Sequence, residues 1–279
     1  MSDESTGHGN SKTSARDLSP PDIKQCCAAV YDSDAAKLLL GGSFHPGGVK
    51  LTERLGQLLD LKPQTRVLDV AAGRGTSGIF LAKRFGCEVV GVDFSQKNVE
   101  DANCTAQEMG LAERASFRWA DAERLSFADS SFDAVICECS FCLFPDKQVA
   151  ASEFARVLAA GGQVGLSDLT RMETLSRDLD GLMSWIACIA DARPLTAYVA
   201  HLSAANLAVR IVEEHNQLLA EFVNGIRTRL LAAEIAAGLG KLVLPGFDLD
   251  AAKKLVRSAQ EAIAQGKLGY AIVTAIKPA

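Results

Sequence analysis

The chain has 279 residues, 48% of them hydrophobic, enough to bury one large domain or one domain with an insertion. Its formal net charge is −5 with no clustering of basic residues, which argues against a nucleic-acid partner. No run approaches ~18 uninterrupted apolar residues, so no membrane span is expected.

The first 21 residues are rich in Ser, Gly, Asp and Lys and end in Pro20-Pro21, which predicts a disordered tail. They contain no apolar signal core, so a cytoplasmic protein with reduced cysteines is expected. Residues 22–62 read as an N-terminal helical cap. Within it, a glycine-rich loop at 41–48 is either a plain connector or a lid carrying Phe44 or His45 toward the reacting group. An amphipathic helix at 49–61 follows, closed by Pro63.

From residue 63 to the end, strands and helices alternate. Strands are predicted at 65–70, 87–93, 115–120, 132–138 and 163–168, with helices at 76–85, 95–109 and 147–158, the last stopped by Gly161-Gly162. An irregular helical stretch at about 171–206 reads as an acceptor-side insertion. A strand at 207–213, helices at 215–237 and 248–265, and a strand at 267–276 complete the chain. This order predicts a doubly wound α/β domain built on a seven-stranded, mostly parallel sheet, with N-terminal helices and a helical lid after the fifth strand. Ligands in such sheets lie at the carboxyl ends of the strands.

Those ends carry the chemistry. The segment 67–78, VLDVAAGRGTSG, is a strand, a glycine turn and a helix start, which lets backbone N–H groups face a ligand. Asp69 within it would repel a phosphate, and no Lys-Ser/Thr pair follows the glycines, so a P-loop is excluded. Asp93 ends the second strand, where a carboxylate can accept both hydroxyls of a ribose. Asp121 follows the third strand, placed for an adenine amine, and Trp119 beside it either stacks on adenine or packs in the core. A cationic, hydroxyl-rich ligand without phosphates fits this set, and S-adenosylmethionine is such a ligand. On Asp69, Gly73, Gly75, Asp93 and Asp121-Ala122 the chain resembles the class I S-adenosylmethionine-dependent methyltransferases, with Ala71 where that family often has a glycine. The resemblance implies cofactor contacts from Asp69, Ala71, Gly73, Gly75, Asp93, Phe94, Asp121, Ala122 and Glu138.

Methyl transfer is a displacement that needs the nucleophile held in line with the methyl group; a hydroxyl also needs a base, whereas a soft nucleophile does not. The eight cysteines are scattered rather than set in zinc-ligand pairs. Cys139, six residues before Pro145-Asp146-Lys147, and Cys188, after Ser167-Asp168, resemble the arsenite methyltransferases. That resemblance implies that these two cysteines are the catalytic pair, their thiolates holding trivalent arsenic as acceptor. Phe44-His45-Pro46 stands where that family has a further cysteine; Cys26-Cys27 are a replacement only if the N-terminal helix reaches the site, and Cys142 only if its segment turns helically. Cys87, Cys104 and Cys137 are assigned to packing. The alternatives are a small thiol or sulfide acceptor, an organic metabolite positioned by His45, Tyr31 or Tyr198, and a cofactor-binding subunit without turnover. His8, His201 and His215 read as idle or surface residues, and Trp185 as a pocket wall. Nothing in the sequence signals an oligomeric state.

Overall fold

The computed structural model describes residues 24–25, 28, 38–41, 44–172, 189, 191–242 and 247–279. The expected tail at 1–21, Cys26-Cys27, Tyr31 and residues 173–188 and 190 of the expected insertion, including Trp185 and Cys188, lie outside these residues.

Helix α1 (Gly48–Leu58) precedes strand β1 (Arg66–Val70), helix α2 (Thr76–Phe85), strand β2 (Glu88–Asp93), helix α3 (Gln96–Glu108) and strand β3 (Ala115–Trp119). Strand β4 (Phe132–Glu138) runs through a single 3-10 turn at Phe141–Leu143 into helix α4 (Lys147–Val157) and strand β5 (Leu158–Arg171). Helix α5 (Leu195–Ala204), strand β6 (Ala208–Glu214), helices α6 (Asn216–Gly238) and α7 (Leu249–Ala264), and strand β7 (Leu268–Ile276) follow.

The sheet order is β3-β2-β1-β4-β5-β7-β6, with β7 antiparallel to both its neighbours and the rest parallel. The chain leaves β1 for β2 on one side and returns to β4 on the other. That reversal opens a crevice above the carboxyl ends of β1 and β4, where open α/β sheets bind ligands.

Central strands are apolar on both faces because helices cover both. Val67, Leu68 and Val70 of β1 and Val135, Ile136 and Cys137 of β4 are fully buried, and each large aliphatic so placed stabilises by roughly 1.5–3 kcal/mol. Side-chain caps set helix starts: Ser95 Oγ accepts the Asn98 N–H at 3.1 Å and Asp146 Oδ1 the Val149 N–H at 3.0 Å, each contributing about 1 kcal/mol. No helix among the described residues is long and apolar enough to cross a membrane.

One element begins earlier than its sequence signal. Strand β5 starts at Leu158, directly after α4, so Gly161-Gly162 lies inside the strand instead of ending the helix. Gly161 has φ +76°, and the pair is held by exchange with Lys277: Gly161 N–H donates to Lys277 O at 2.9 Å and Lys277 N–H to Gly162 O at 2.8 Å. The glycines mark a kink in a paired strand, where glycine is the residue that accepts a left-handed backbone.

Candidate active site

The carboxyl ends of β1, β2 and β4 enclose a cavity of about 160 Å3. Its floor is the turn after β1. Gly73 has φ +54°, its N–H donates to Asp93 Oδ2 at 2.8 Å, and a Cβ there would meet nothing nearer than the Phe44 ring at 3.8 Å. The bare edge of the turn therefore faces the cavity. Ala71 adopts φ +59° on the same wall, which costs a non-glycine residue about 1–2 kcal/mol.

Gly75 was expected beside the ligand and is not on the cavity wall. A Cβ at Gly75 would lie 2.7 Å from Phe117 Cζ and 2.9 Å from Ala102 Cβ, and its φ is +76°. This glycine serves the seating of α2 against β3 and α3.

Asp69, Asp93, Asp121 and Glu138 all line the cavity, as do Phe94 and Ala122. Asp69 is 2% exposed. Burial, then the charges of Glu138 and Asp93, push its carboxyl well above the usual carboxylate range, and the Gly78 N–H opposes them only in part. Its Oδ2 has no hydrogen-bond partner among the described residues. An orphaned buried oxygen beside two further carboxylates is a cavity that favours a cation. A sulfonium nucleoside with an ammonium group meets that demand, and its ribose and adenine present donors suited to Asp93 and Asp121. The residues present fit this cofactor.

Glu138 is held on both sides: Thr52 Oγ1 donates to Oε2 at 2.9 Å, and Ser167 Oγ donates to Oε1 at 3.3 Å. Behind Ser167, the Tyr270 hydroxyl donates to Ser167 O at 3.2 Å. His45 closes the group. It is 7% exposed, its Nδ1 lies 3.1 Å from Pro46 O, and its Nε2 lies 3.4 Å from Ser77 Oγ, 3.5 Å from Thr52 Oγ1 and 3.6 Å from Glu138 Oε2. Sequence reasoning missed Thr52 and Ser77. Their signal was a hydroxyl residue set among apolar positions on the inward faces of α1 and α2, where Thr52 is completely buried beside Leu51 and Leu55.

At the other end, Lys24 Nζ lies 2.8 Å from both oxygens of Asp121 and 2.7 Å from Glu123 Oε2. Lys24 and Ala28 also line the cavity, at the same site as the strand-end acids. Nothing in the spacing of Lys24 announces this.

Several expected residues sit elsewhere. Trp119 is 53% exposed and off the cavity wall, neither a stacking platform nor core; its indole N–H donates to Phe94 O at 2.9 Å, so it backs Phe94, which does reach the cavity. Tyr198 is buried behind the site, its hydroxyl donating to Leu169 O at 2.8 Å. Cys104 is exposed on α3 rather than packed, whereas Cys87 and Cys137 are buried. Cys139 lines the cavity at φ +53°, with its N–H on Ser167 O at 2.6 Å. The turn at Phe141–Leu143 does form, but it buries Cys142 completely and away from the cavity wall.

Comparison with known proteins agrees with this geometry. A family described as "Methyltransferase domain" matches residues 67–162. Methyltransferase GfsG of Streptomyces halstedii is 30% identical over 242 residues, covering 83% of this chain and 81% of the relative. The 27-O-demethylrifamycin SV methyltransferase of Amycolatopsis mediterranei is 30% identical over 243 residues, covering 82% of this chain and 83% of the relative. Among solved structures, phosphoethanolamine N-methyltransferase 2 of Haemonchus contortus, in complex with phosphomonomethylethanolamine and S-adenosylhomocysteine, superposes with a TM-score of 0.77 at 21% identity, over 94% of this chain and 61% of that one. With relatives of 30% identity along most of both chains, and with this fold, the protein belongs to the class I S-adenosylmethionine-dependent methyltransferases.

Proposed function

We propose that the protein transfers the methyl group to a hydroxyl oxygen of a small organic molecule, with His45 as the base. The cofactor, when bound, supplies a methyl group made electrophilic by its sulfonium. Asp93 would accept the ribose hydroxyls and Asp121 the adenine amine, while the bare backbone at Ala71 and Gly73 admits the ligand edge. Asp69 and Glu138 would carry negative charge toward the cationic end of the cofactor.

The observation that carries the reading is His45 Nε2, buried on the cavity wall and 3.6 Å from the Glu138 carboxylate. A hydroxyl is a weak nucleophile and gains from giving up its proton as the new bond forms. Nε2 would take that proton, and the Glu138 carboxylate would stabilise the imidazolium that results. Thr52 and Ser167 keep Glu138 in place. The relative that acts on 27-O-demethylrifamycin SV bears a name that points the same way.

A soft acceptor is the second reading, either trivalent arsenic or a small thiol, and Cys139 on the cavity wall favours it. Its partner Cys188 lies outside the described residues, and Cys142 is too deeply buried to stand in.

The two readings part in one experiment. Labelled cofactor is incubated with a panel of hydroxyl-, amine- and thiol-bearing molecules and with arsenite, using wild type, His45→Ala and Cys139→Ala. Label on an ether oxygen that His45→Ala lowers by about 100-fold or more supports the base. Label on sulfur or arsenic that Cys139→Ala abolishes would overturn it.

A further inference from the structure

Outside the cofactor cavity, the residues around the 44–48 loop form a second hollow of about 230 Å3 between that loop and α6. Among the described residues His45 is the one residue that borders both hollows. A molecule in the second hollow therefore meets the same histidine that lines the cofactor cavity.

The wall of the second hollow has a defined chemistry. Leu40, Leu218 and Phe222 supply an apolar surface, and the exposed Glu221, which accepts from Gln217 Nε2 at 2.9 Å, stands at its rim opposite in charge to Arg229. Gly225 lies in the middle of α6, where glycine costs about 1 kcal/mol relative to alanine. No neighbour requires it: a Cβ there would meet only the Arg229 guanidinium, at 3.4 Å. What the glycine provides is room. Arg229, one turn on, is half-buried and fixed in place by backbone carbonyls, with Nε donating to Leu39 O at 2.5 Å and Nη2 to Leu40 O at 3.4 Å. It makes no ion pair with any described residue. A pinned guanidinium without an ion-pair partner among the described residues, with donors left over, suits a carboxylate or a comparable oxyanion.

We infer that this hollow is the acceptor subsite, and that it takes a hydroxylated organic acid: an apolar body on Leu218 and Phe222, a carboxylate toward Arg229, and the hydroxyl toward His45. The inference rests on the hydroxyl-acceptor reading for its chemistry, but the site itself can be tested without turnover.

The probes are 4-hydroxycinnamate and its methyl ester, which share a body and differ in charge. Each is titrated by calorimetry into protein saturated with S-adenosylhomocysteine, for wild type, Gly225→Leu and Arg229→Met. The affinity of each variant for S-adenosylhomocysteine serves as the check on folding and is expected to match wild type. Wild type should bind the acid at least about tenfold more tightly than the ester. Arg229→Met should remove that preference, and Gly225→Leu, which fills the hollow, should weaken both probes by about tenfold or more. Equal affinity for acid and ester in wild type overturns the acid class. Unchanged binding to Gly225→Leu overturns the subsite. Labelled cofactor added to the bound acid then separates the two proposals. Binding without methyl transfer to the phenolic oxygen counts against the hydroxyl-acceptor reading alone. Transfer that Gly225→Leu leaves unaltered counts against the subsite alone.

Discussion

Asp93 and Gly73 are joined by a 2.8 Å hydrogen bond from the glycine N–H to Oδ2, while Asp93 Oδ1 takes the Ser95 N–H at 2.8 Å. One carboxylate thus ties the end of β2 to the turn after β1 and to the cap of α3. The turn is set before any ligand arrives. Asp93→Asn places an amide group where one of the two backbone donors needs an acceptor, and an unsatisfied buried donor costs about 1–3 kcal/mol. Cofactor affinity should fall by about tenfold to a hundredfold, with a lower unfolding temperature. Calorimetric titration with S-adenosylmethionine and a thermal melt check both; unchanged affinity would remove Asp93 from the site.

Asp69 gives a pH dependence with a defined sign. Its carboxyl in the folded protein lies well above the value of 3.8 it has when free. Between those two values the folded protein keeps a proton that the unfolded chain has lost. Stability from this group is therefore present at acid pH and is lost as pH rises through that interval. Asp69→Asn abolishes the slope. The variant should be more stable than wild type at neutral pH, converge with it toward acid pH, and bind S-adenosylmethionine more weakly because the cavity has lost a carboxyl that a bound cation would ionise. Melting temperatures across the pH range test the first two points and titration the third. A variant that is less stable at neutral pH would show that burial does not dominate at Asp69.

The sheet and the acids at strand ends were legible because they depend on local signals: β-branched runs, glycines and carboxylates at fixed offsets. Asp69, Asp93, Asp121 and Glu138 all reach the cavity. Where the reading failed, the decisive partner was distant in sequence. Gly75 looked like a ligand contact, but its reason is the ring of Phe117. Gly161-Gly162 looked like a helix stop, but its reason is pairing with Lys277. Thr52 and Lys24 reach the site through contacts 86 and 97 residues away, and no local pattern encodes such contacts.

Cysteine reactivity follows from burial. Cys87 is pushed up to about 11, chiefly by desolvation, with Arg114 too weak to compensate. At pH 8 only roughly one thiol in a thousand is then a thiolate. Among the described cysteines Cys104 is exposed and should be alkylated first by iodoacetamide, while Cys87, Cys137 and Cys142 stay protected in the native state. Cys139 lines the cavity, so saturating S-adenosylhomocysteine should slow its modification by about tenfold or more. Peptide mapping of labelled protein with and without the ligand reads this out, and an equal rate at Cys139 in both would place its sulfur outside the ligand's reach.

Phe117 offers a test of packing that runs through two glycines. A Cβ at Gly91 would lie 2.2 Å from Phe117 Cδ1, and one at Gly75 would lie 2.7 Å from Phe117 Cζ. Both alanine variants overfill the space beside a ring that is only 7% exposed, at about 1–3 kcal/mol each. They differ at Gly75, where φ +76° adds about 1 kcal/mol or more for alanine and the Cβ also lies 2.9 Å from Ala102 Cβ. Replacing Phe117 by Leu should therefore rescue most of the loss in Gly91→Ala but leave a residual loss in Gly75→Ala. Denaturant melts of wild type, the three single variants and the two double variants, arranged as two double-mutant cycles, measure the coupling. If Phe117→Leu rescued both glycine variants equally, neither backbone conformation nor Ala102 would play a part at Gly75, and the turn would owe its glycine to the ring alone.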